Sequence, residues 1–104
     1  ALWPYVKDRS HAPRSRGLVL WGLARRAQKH PAVRREVVEG LAAMLDNGGG
    51  DDREALAYVV FALCELKARE ARTRIERAFE RGAVDLSIMS LDDARFHLAD
   101  AAAA

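Results

Sequence analysis

Two six-residue segments that lie forty positions apart share one pattern of apolar and small residues. The first is Val19-Leu20-Trp21-Gly22-Leu23-Ala24, and the second is Val59-Val60-Phe61-Ala62-Leu63-Cys64. Each is followed by a break and then by a second apolar stretch, with Val37 and Leu41 after the first and Ile75 and Phe79 after the second. A period of about 40 residues with two helices in each unit is typical of helical repeat architectures. The repeat therefore predicts a chain of stacked helix pairs.

Composition and local signals also favour helices. Alanine occurs twenty times, and no segment alternates polar and β-branched residues as a half-buried strand would. We expect a single domain over residues 1–104, with units at about 15–46 and 52–82 and a C-terminal cap at about 85–98. Within it, the helices are predicted at about 15–29, 31–46, 52–66, 70–81 and 91–98. Expected helix signals are Pro31 at a start, Gly82 after an end, and caps at Asp51 with Glu54 and Ser90 with Asp93.

One stretch of the second unit resembles a known repeat family. Ala62-Leu63-Cys64-Glu65-Leu66, followed by Ala71, Ile75 and Ala78-Phe79, resembles the HEAT-like repeat of the phycobilisome-lyase-like group, although Cys64 stands where that pattern has glycine. Gly82-Ala83-Val84-Asp85 is similar to a Gly-x-Val-Asp segment of bacterial HEAT-like proteins without assigned activity. The resemblance covers residues 17 to about 93. It implies a short α-solenoid of about two helix pairs plus a terminal helix, commonly with a binding or scaffolding role. It transfers no catalytic residue, because the motif is a packing motif.

The net charge of +2 hides an uneven distribution along the chain. Residues 1–35 carry a net charge of +8, and residues 36–104 carry −6. The candidate binding residues are the basic side chains around the first turn between helices: Arg25, Arg26, Lys29, Arg34 and Arg35. Three interpretations stay open for this cluster. It is a solvated or intramolecularly paired helix end, a site for an acidic protein surface, which could be the acidic C-terminal half of a neighbouring copy, or a site for phosphate groups of a nucleic acid.

The sequence offers no convincing catalytic or metal-binding constellation. Cys64 has no histidine neighbour in sequence and is expected to be a buried packing residue. The pairs Asp51-Asp52 and Asp92-Asp93 fall at predicted helix starts, where they suit capping better than acid–base catalysis. Asp93 and His97 could supply only two ligands to a metal, and Gly48-Gly49-Gly50 lacks the frame of a phosphate loop. We therefore expect no enzyme activity, no cofactor and no metal.

Apolar side chains on the outer faces of the first and third helices need a cover, because two helix pairs alone leave them uncovered. The residues expected to face a partner are Trp3, Tyr5, Trp21 and Phe61. The sequence thus favours a non-enzymatic protein-interaction or scaffolding module, with self-association as one form of it. The alternative is a nucleic-acid-binding module that uses the basic cluster. No apolar run approaches the roughly 20 residues of a membrane span, and a single cysteine favours a reducing compartment, which we expect to be the cytoplasm.

Overall fold

The fold is all-helical throughout the two stretches, residues 13–47 and 53–103, that the computed structural model describes. The elements are α1 (Pro13–Gln28), α2 (Pro31–Asn47), α3 (Arg53–Glu65), a 3₁₀ turn (Arg69–Ala71), α4 (Arg72–Glu80) and α5 (Leu91–Ala103). No strand occurs in these stretches. The prediction of five helices and no strand is confirmed for the described residues.

Most helix boundaries agree with the local signals, and the differences have local causes. α1 begins at Pro13, two residues before the predicted start, because proline fits the first turn of a helix. The fourth helix is shorter than expected, since its first turn is the 3₁₀ turn Arg69–Ala71. α5 extends to Ala103 through alanines, which are the strongest helix formers. The hydroxyl of Ser90 accepts a hydrogen bond of 3.1 Å from the Asp93 amide, which confirms the predicted cap.

The ends of α3 and α4 use the same backbone motif with different residues. At the end of α4, Gly82 takes the left-handed conformation, and the Ala83 amide donates to the Ala78 carbonyl. At the end of α3, Lys67 takes that conformation at φ 54°, and the Ala68 amide donates to the Leu63 carbonyl. Both are Schellman motifs. The predicted position of Gly82 after a helix end is therefore confirmed. No sequence signal predicts that Lys67 takes the same conformation after α3.

α3 is the central helix of the described core. Eight of its thirteen residues are buried, and it packs against α1, α2 and α5. A continuous cluster of buried apolar side chains extends from Leu20 in α1 to Leu98 in α5. Each fully buried leucine or valine contributes about 1.5–3 kcal/mol of transfer free energy. A helix that is apolar on nearly all sides thus lies where neighbours cover several of its sides.

The two helix pairs are packed differently. α1 and α2 form a close pair, whereas α4 has its main contacts with α2 and α5 instead of α3. Two arginines near the two ends of α4 bind the last turn of α2. Arg74 of α4 binds the Asp46 carboxylate, and Arg81, which directly follows α4, donates to the Leu45 carbonyl. α4 therefore lies across the end of α2. The helices form two layers, with α1, α3 and α5 in one layer and α2 and α4 in the other.

Candidate interaction surface

α1 and α3 lie side by side with the same direction. Near their N-terminal ends, Gly17 lies under the ring of Tyr58, so close that a Cβ atom added at Gly17 would be 2.8 Å from the Cγ atom of Tyr58. Near their C-terminal ends, the side-chain amide of Gln28 donates a 2.7 Å hydrogen bond to the carbonyl oxygen of Glu65. These two contacts fix the register of the helices. Equivalent positions of the sequence repeat therefore lie beside each other.

This register brings three large apolar side chains to the outer surface of the layer. Trp21 and Phe61 occupy equivalent positions of the repeat, and they are 42% and 40% exposed. Leu18 lies one helical turn before Trp21 and is 66% exposed. We call Leu18, Trp21 and Phe61, together with Arg25, the α1–α3 face. Clusters of exposed large apolar side chains mark interaction sites far more often than isolated ones do.

All charged side chains of α1 are basic. α1 contains arginines but no aspartate or glutamate. The guanidinium carbon of Arg25 lies 4.8 Å from the centre of the Trp21 ring, a cation–π contact that holds a positive charge over the apolar surface. Arg26 and Lys29 are exposed beside it, and neither forms an ion pair with any described residue. This surface can attract an anionic partner and bury apolar area against it.

Arg34 has a structural role. Its guanidinium forms a bidentate pair with the Glu70 carboxylate, at 2.7 and 3.2 Å, and it also donates to the carbonyl oxygens of Leu66 and Lys67. These contacts satisfy carbonyl groups at the end of α3, just where Lys67 takes its left-handed conformation. The pairing lowers the pKa of Glu70 and raises the pKa of Arg34, through the hydrogen bond between them.

Arg35 is exposed on α2. It precedes Glu39 by one turn of α2, and Glu39 lies 3.7 Å from Arg74 of α4. Arg74 also binds the Asp46 carboxylate at 2.6 Å, and this hydrogen bond lowers the pKa of Asp46. Of the five predicted cations, Arg34 is bound to the end of α3 and to Glu70. Arg25 and Arg26 lie in the last turn of α1, Lys29 follows that turn, and Arg35 is exposed on α2.

Arg16 is a buried charged residue that is not among the predicted site residues. It is only 1% exposed, and it shares the buried stripe of α1 with Leu20, Ala24 and Ala27. Its polar atoms are satisfied, because no buried side-chain nitrogen or oxygen of the described residues lacks a hydrogen-bond partner. The sequence signal for the burial of Arg16 is its spacing of four residues from Leu20, which places both side chains on the same side of α1. The close contact of Gly17 with Tyr58 carried no such signal.

The residues considered for chemistry have structural surroundings in the described part of the chain. Cys64 is buried, with its sulfur 4.0 Å from the Ala94 carbonyl oxygen, and burial raises the pKa of its thiol to about 11. The packing interpretation of Cys64 is thus confirmed. Among the described residues, no group of three or more histidine, cysteine or acidic side chains is close enough to hold a metal ion. A shallow depression of about 360 Å³ beside Pro31, Ala32 and Arg35 is open to solvent and does not form an enclosed binding site.

Several expected features lie outside the described residues. They are Trp3, Tyr5, the connector Gly48–Gly50, the acidic pair Asp51-Asp52 and the side chain of His97. Within the described stretches, no helix combines the length and the apolar character needed to cross a membrane. No protein-family model, no curated protein and no solved structure matches the chain. The resemblance to HEAT-like repeats therefore depends on the residues quoted for it.

Proposed function

We propose that this chain is a non-enzymatic protein-interaction module, built as a short HEAT-like α-solenoid, that binds an acidic protein surface on its α1–α3 face. The observation that carries the proposal is the exposure of Trp21 and Phe61 at equivalent positions of two parallel, adjacent helices. A large aromatic side chain has little reason to be repeated at an exposed position unless a partner covers it. The repeat period and the two-layer order of the helices support the solenoid.

The charge around this face supports an acidic partner. Arg14, Arg25 and Arg26 are exposed along α1, which has no acidic residue, and the exposed Lys29 follows its last residue. Such a field accelerates the approach of an anionic surface and rejects a cationic one. Apolar contact with Leu18, Trp21 and Phe61 would then supply the short-range affinity. The single cysteine supports a reducing compartment such as the cytoplasm, and the resemblance supports a bacterial origin.

A pair of synthetic amphipathic peptides tests the proposal. One labelled helical peptide carries leucines on one face and glutamates on the other, and its counterpart carries lysines in place of the glutamates. We expect the glutamate peptide to raise fluorescence anisotropy in a salt-sensitive manner and the lysine peptide to have no effect. Equal binding of both peptides, or binding of neither, would contradict the proposal.

Two leucines provide a matched control for this titration. Leu18 and Leu86 are 66% and 68% exposed, so replacing either by alanine removes a similar apolar area from the surface. Leu18→Ala is expected to weaken peptide binding severalfold, whereas Leu86→Ala is expected to leave it unchanged. An equal effect of the two substitutions would show that the peptide does not use the α1–α3 face.

The second candidate is a nucleic-acid-binding function, and one observation favours it: Arg25, Arg26 and Lys29 lie close together and form no ion pair with described residues. Labelled duplex and single-stranded DNA and RNA would be titrated at low salt and at about 200 mM salt, where phosphate contacts weaken steeply. The charge-reversal variant should replace Arg25, Arg26 and Lys29 by glutamate. Arg34 is left out of it because its loss would damage the end of α3. Absence of binding at low salt would refute this candidate.

A further inference from the structure

A second set of exposed apolar side chains lies on α5 and in the turn before it, and acidic side chains accompany it. Leu86 and Ile88 are exposed in the turn before α5, and Phe96 of α5 is 70% exposed. Asp92 lies one helical turn before Phe96, on the same side of α5, and Asp93 is exposed beside it. The basic residue of this helix, Arg95, is directed to Glu76 of α4, with 3.7 Å between their nearest charged atoms. We call Leu86, Ile88, Asp92, Asp93 and Phe96 the acidic end.

The α1–α3 face and the acidic end lie on helices that pack against different sides of α3. Tyr58 of α3 contacts α1, and Cys64 of α3 contacts α5. Positions 58 and 64 differ by six residues, which is a rotation of about 120° around a helix.

We propose that the α1–α3 face binds the acidic end of a second copy of this chain. This inference rests on the proposed function and names its partner. The two surfaces are complementary in two respects: each exposes large apolar side chains, and their charges are opposite, with Arg25, Arg26 and Lys29 on one and Asp92 and Asp93 on the other. Because the two surfaces differ, the contact is heterologous, and any open assembly retains one unused α1–α3 face at one end and one unused acidic end at the other. Copies therefore add head to tail.

Analytical ultracentrifugation over a wide range of concentration tests the association. We expect the chain to form dimers and longer species at low salt. These species should be lost at about 1 M salt, where the screening length falls to about 3 Å. A chain that stays monomeric at the highest concentration in low salt would overturn the inference.

Two charge-reversal variants separate a head-to-tail contact from a symmetric one. The first is Arg25→Glu with Arg26→Glu, which disrupts the α1–α3 face, and the second is Asp92→Arg with Asp93→Arg, which disrupts the acidic end. Each variant alone is expected to be monomeric. Their equimolar mixture is expected to regain dimers and longer species, because the acidic end of the first variant binds the α1–α3 face of the second and the two reversed surfaces are again opposite in charge. A mixture that stays monomeric would overturn the head-to-tail arrangement.

A control variant accounts for the change in net charge. Arg69 is exposed and lies in the 3₁₀ turn, outside both surfaces. Arg69→Glu should leave the assembly of the wild-type chain unchanged, and helical circular dichroism should show that all variants are folded. An assembly that Arg69→Glu abolishes as completely as the designed variants do would contradict the assigned surfaces.

The acidic-end variant also distinguishes failure of this inference from failure of the proposed function. It retains an intact α1–α3 face that no second copy can occupy. If the wild-type chain is monomeric and this variant still binds the glutamate peptide, self-association is wrong and the protein-interaction function stands. If this variant binds no glutamate peptide either, both proposals are wrong.

Discussion

Two glycines of α1 form a matched pair that tests the packing of α1 against α3. Both lie inside the helix, so alanine should stabilise the helix by about 1 kcal/mol at either position if nothing else changed. At Gly22 nothing lies within 4 Å of the added Cβ atom, and the full gain is expected. At Gly17 the added Cβ atom would lie 2.8 Å from both the Cγ and Cδ2 atoms of the Tyr58 ring.

The contact at Gly17 reverses the expected sign. The Cγ atom is at the root of the side chain, so the ring cannot avoid the new methyl group without a change of rotamer or a shift of α3. Overpacking of this kind costs about 1–3 kcal/mol. After the gain in helix propensity, Gly17→Ala is expected to change stability by between zero and about 2 kcal/mol in the destabilising direction. Gly22→Ala should be more stable than Gly17→Ala by about 1–3 kcal/mol.

Urea unfolding followed by circular dichroism measures this difference. The midpoints should move in opposite directions, while the slope of the free energy of unfolding with urea stays constant. In thermal unfolding, 1 kcal/mol corresponds to about 4–8 °C for a domain of this size. Tyr58→Ala in the Gly17→Ala background should cancel most of the overpacking cost, which a double-mutant cycle would report as coupling. Equal stabilisation by Gly17→Ala and Gly22→Ala would refute the close approach of α1 and α3.

Three other predictions concern the polar contacts and the cysteine. Arg34→Ala should lower the free energy of unfolding by about 1–3 kcal/mol, because it leaves carbonyl groups at the end of α3 without a charged donor, whereas Arg35→Ala should change it little; equal urea midpoints for the two variants would contradict the role of Arg34. The pKa of Asp46 is held below its usual range, so its contribution is present above the unfolded-state pKa and is lost as pH falls through the folded-state pKa. Asp46→Asn should therefore be less stable than the wild type near neutral pH, and a stability difference that does not shrink on acidification would contradict this. Cys64, with its thiol pKa near 11, should not react with Ellman's reagent at pH 8 until urea unfolds the chain, and fast labelling of the native protein would show that it is not buried.

Local chemistry made much of the helical framework predictable. Pro31, Gly82 and Ser90 act through their own backbone preferences or through atoms three residues away, so their effects can be read along the sequence. The apolar spacing of Val37 and Leu41 likewise predicts the buried side of α2. The start of α4 was not predictable in this way. It depends on Lys67, whose left-handed backbone is supported by a distant arginine.

The candidate surface was predictable only in part. The repeat places Trp21 and Phe61 at equivalent positions, and the sequence predicts that both face a partner. Their exposure on adjacent parallel helices depends on the register of α1 and α3, which contacts between distant residues determine. Within the basic cluster, Arg34 is bound to Glu70 and to the end of α3, which the spacing of the cations along the sequence does not predict.

The class of fold, the approximate helices and the buried stripes can be predicted from the sequence, because each of these depends on neighbours within one or two helical turns. The pairing of charges depends on how distant helices pack. Arg34 binds Glu70, thirty-six positions away, and Arg74 binds Asp46, twenty-eight positions away. Such pairs form only after the apolar faces have packed and brought the helices together. Arg34 is therefore a part of the fold, whereas Arg25, Arg26 and Lys29 form no ion pair with the described residues.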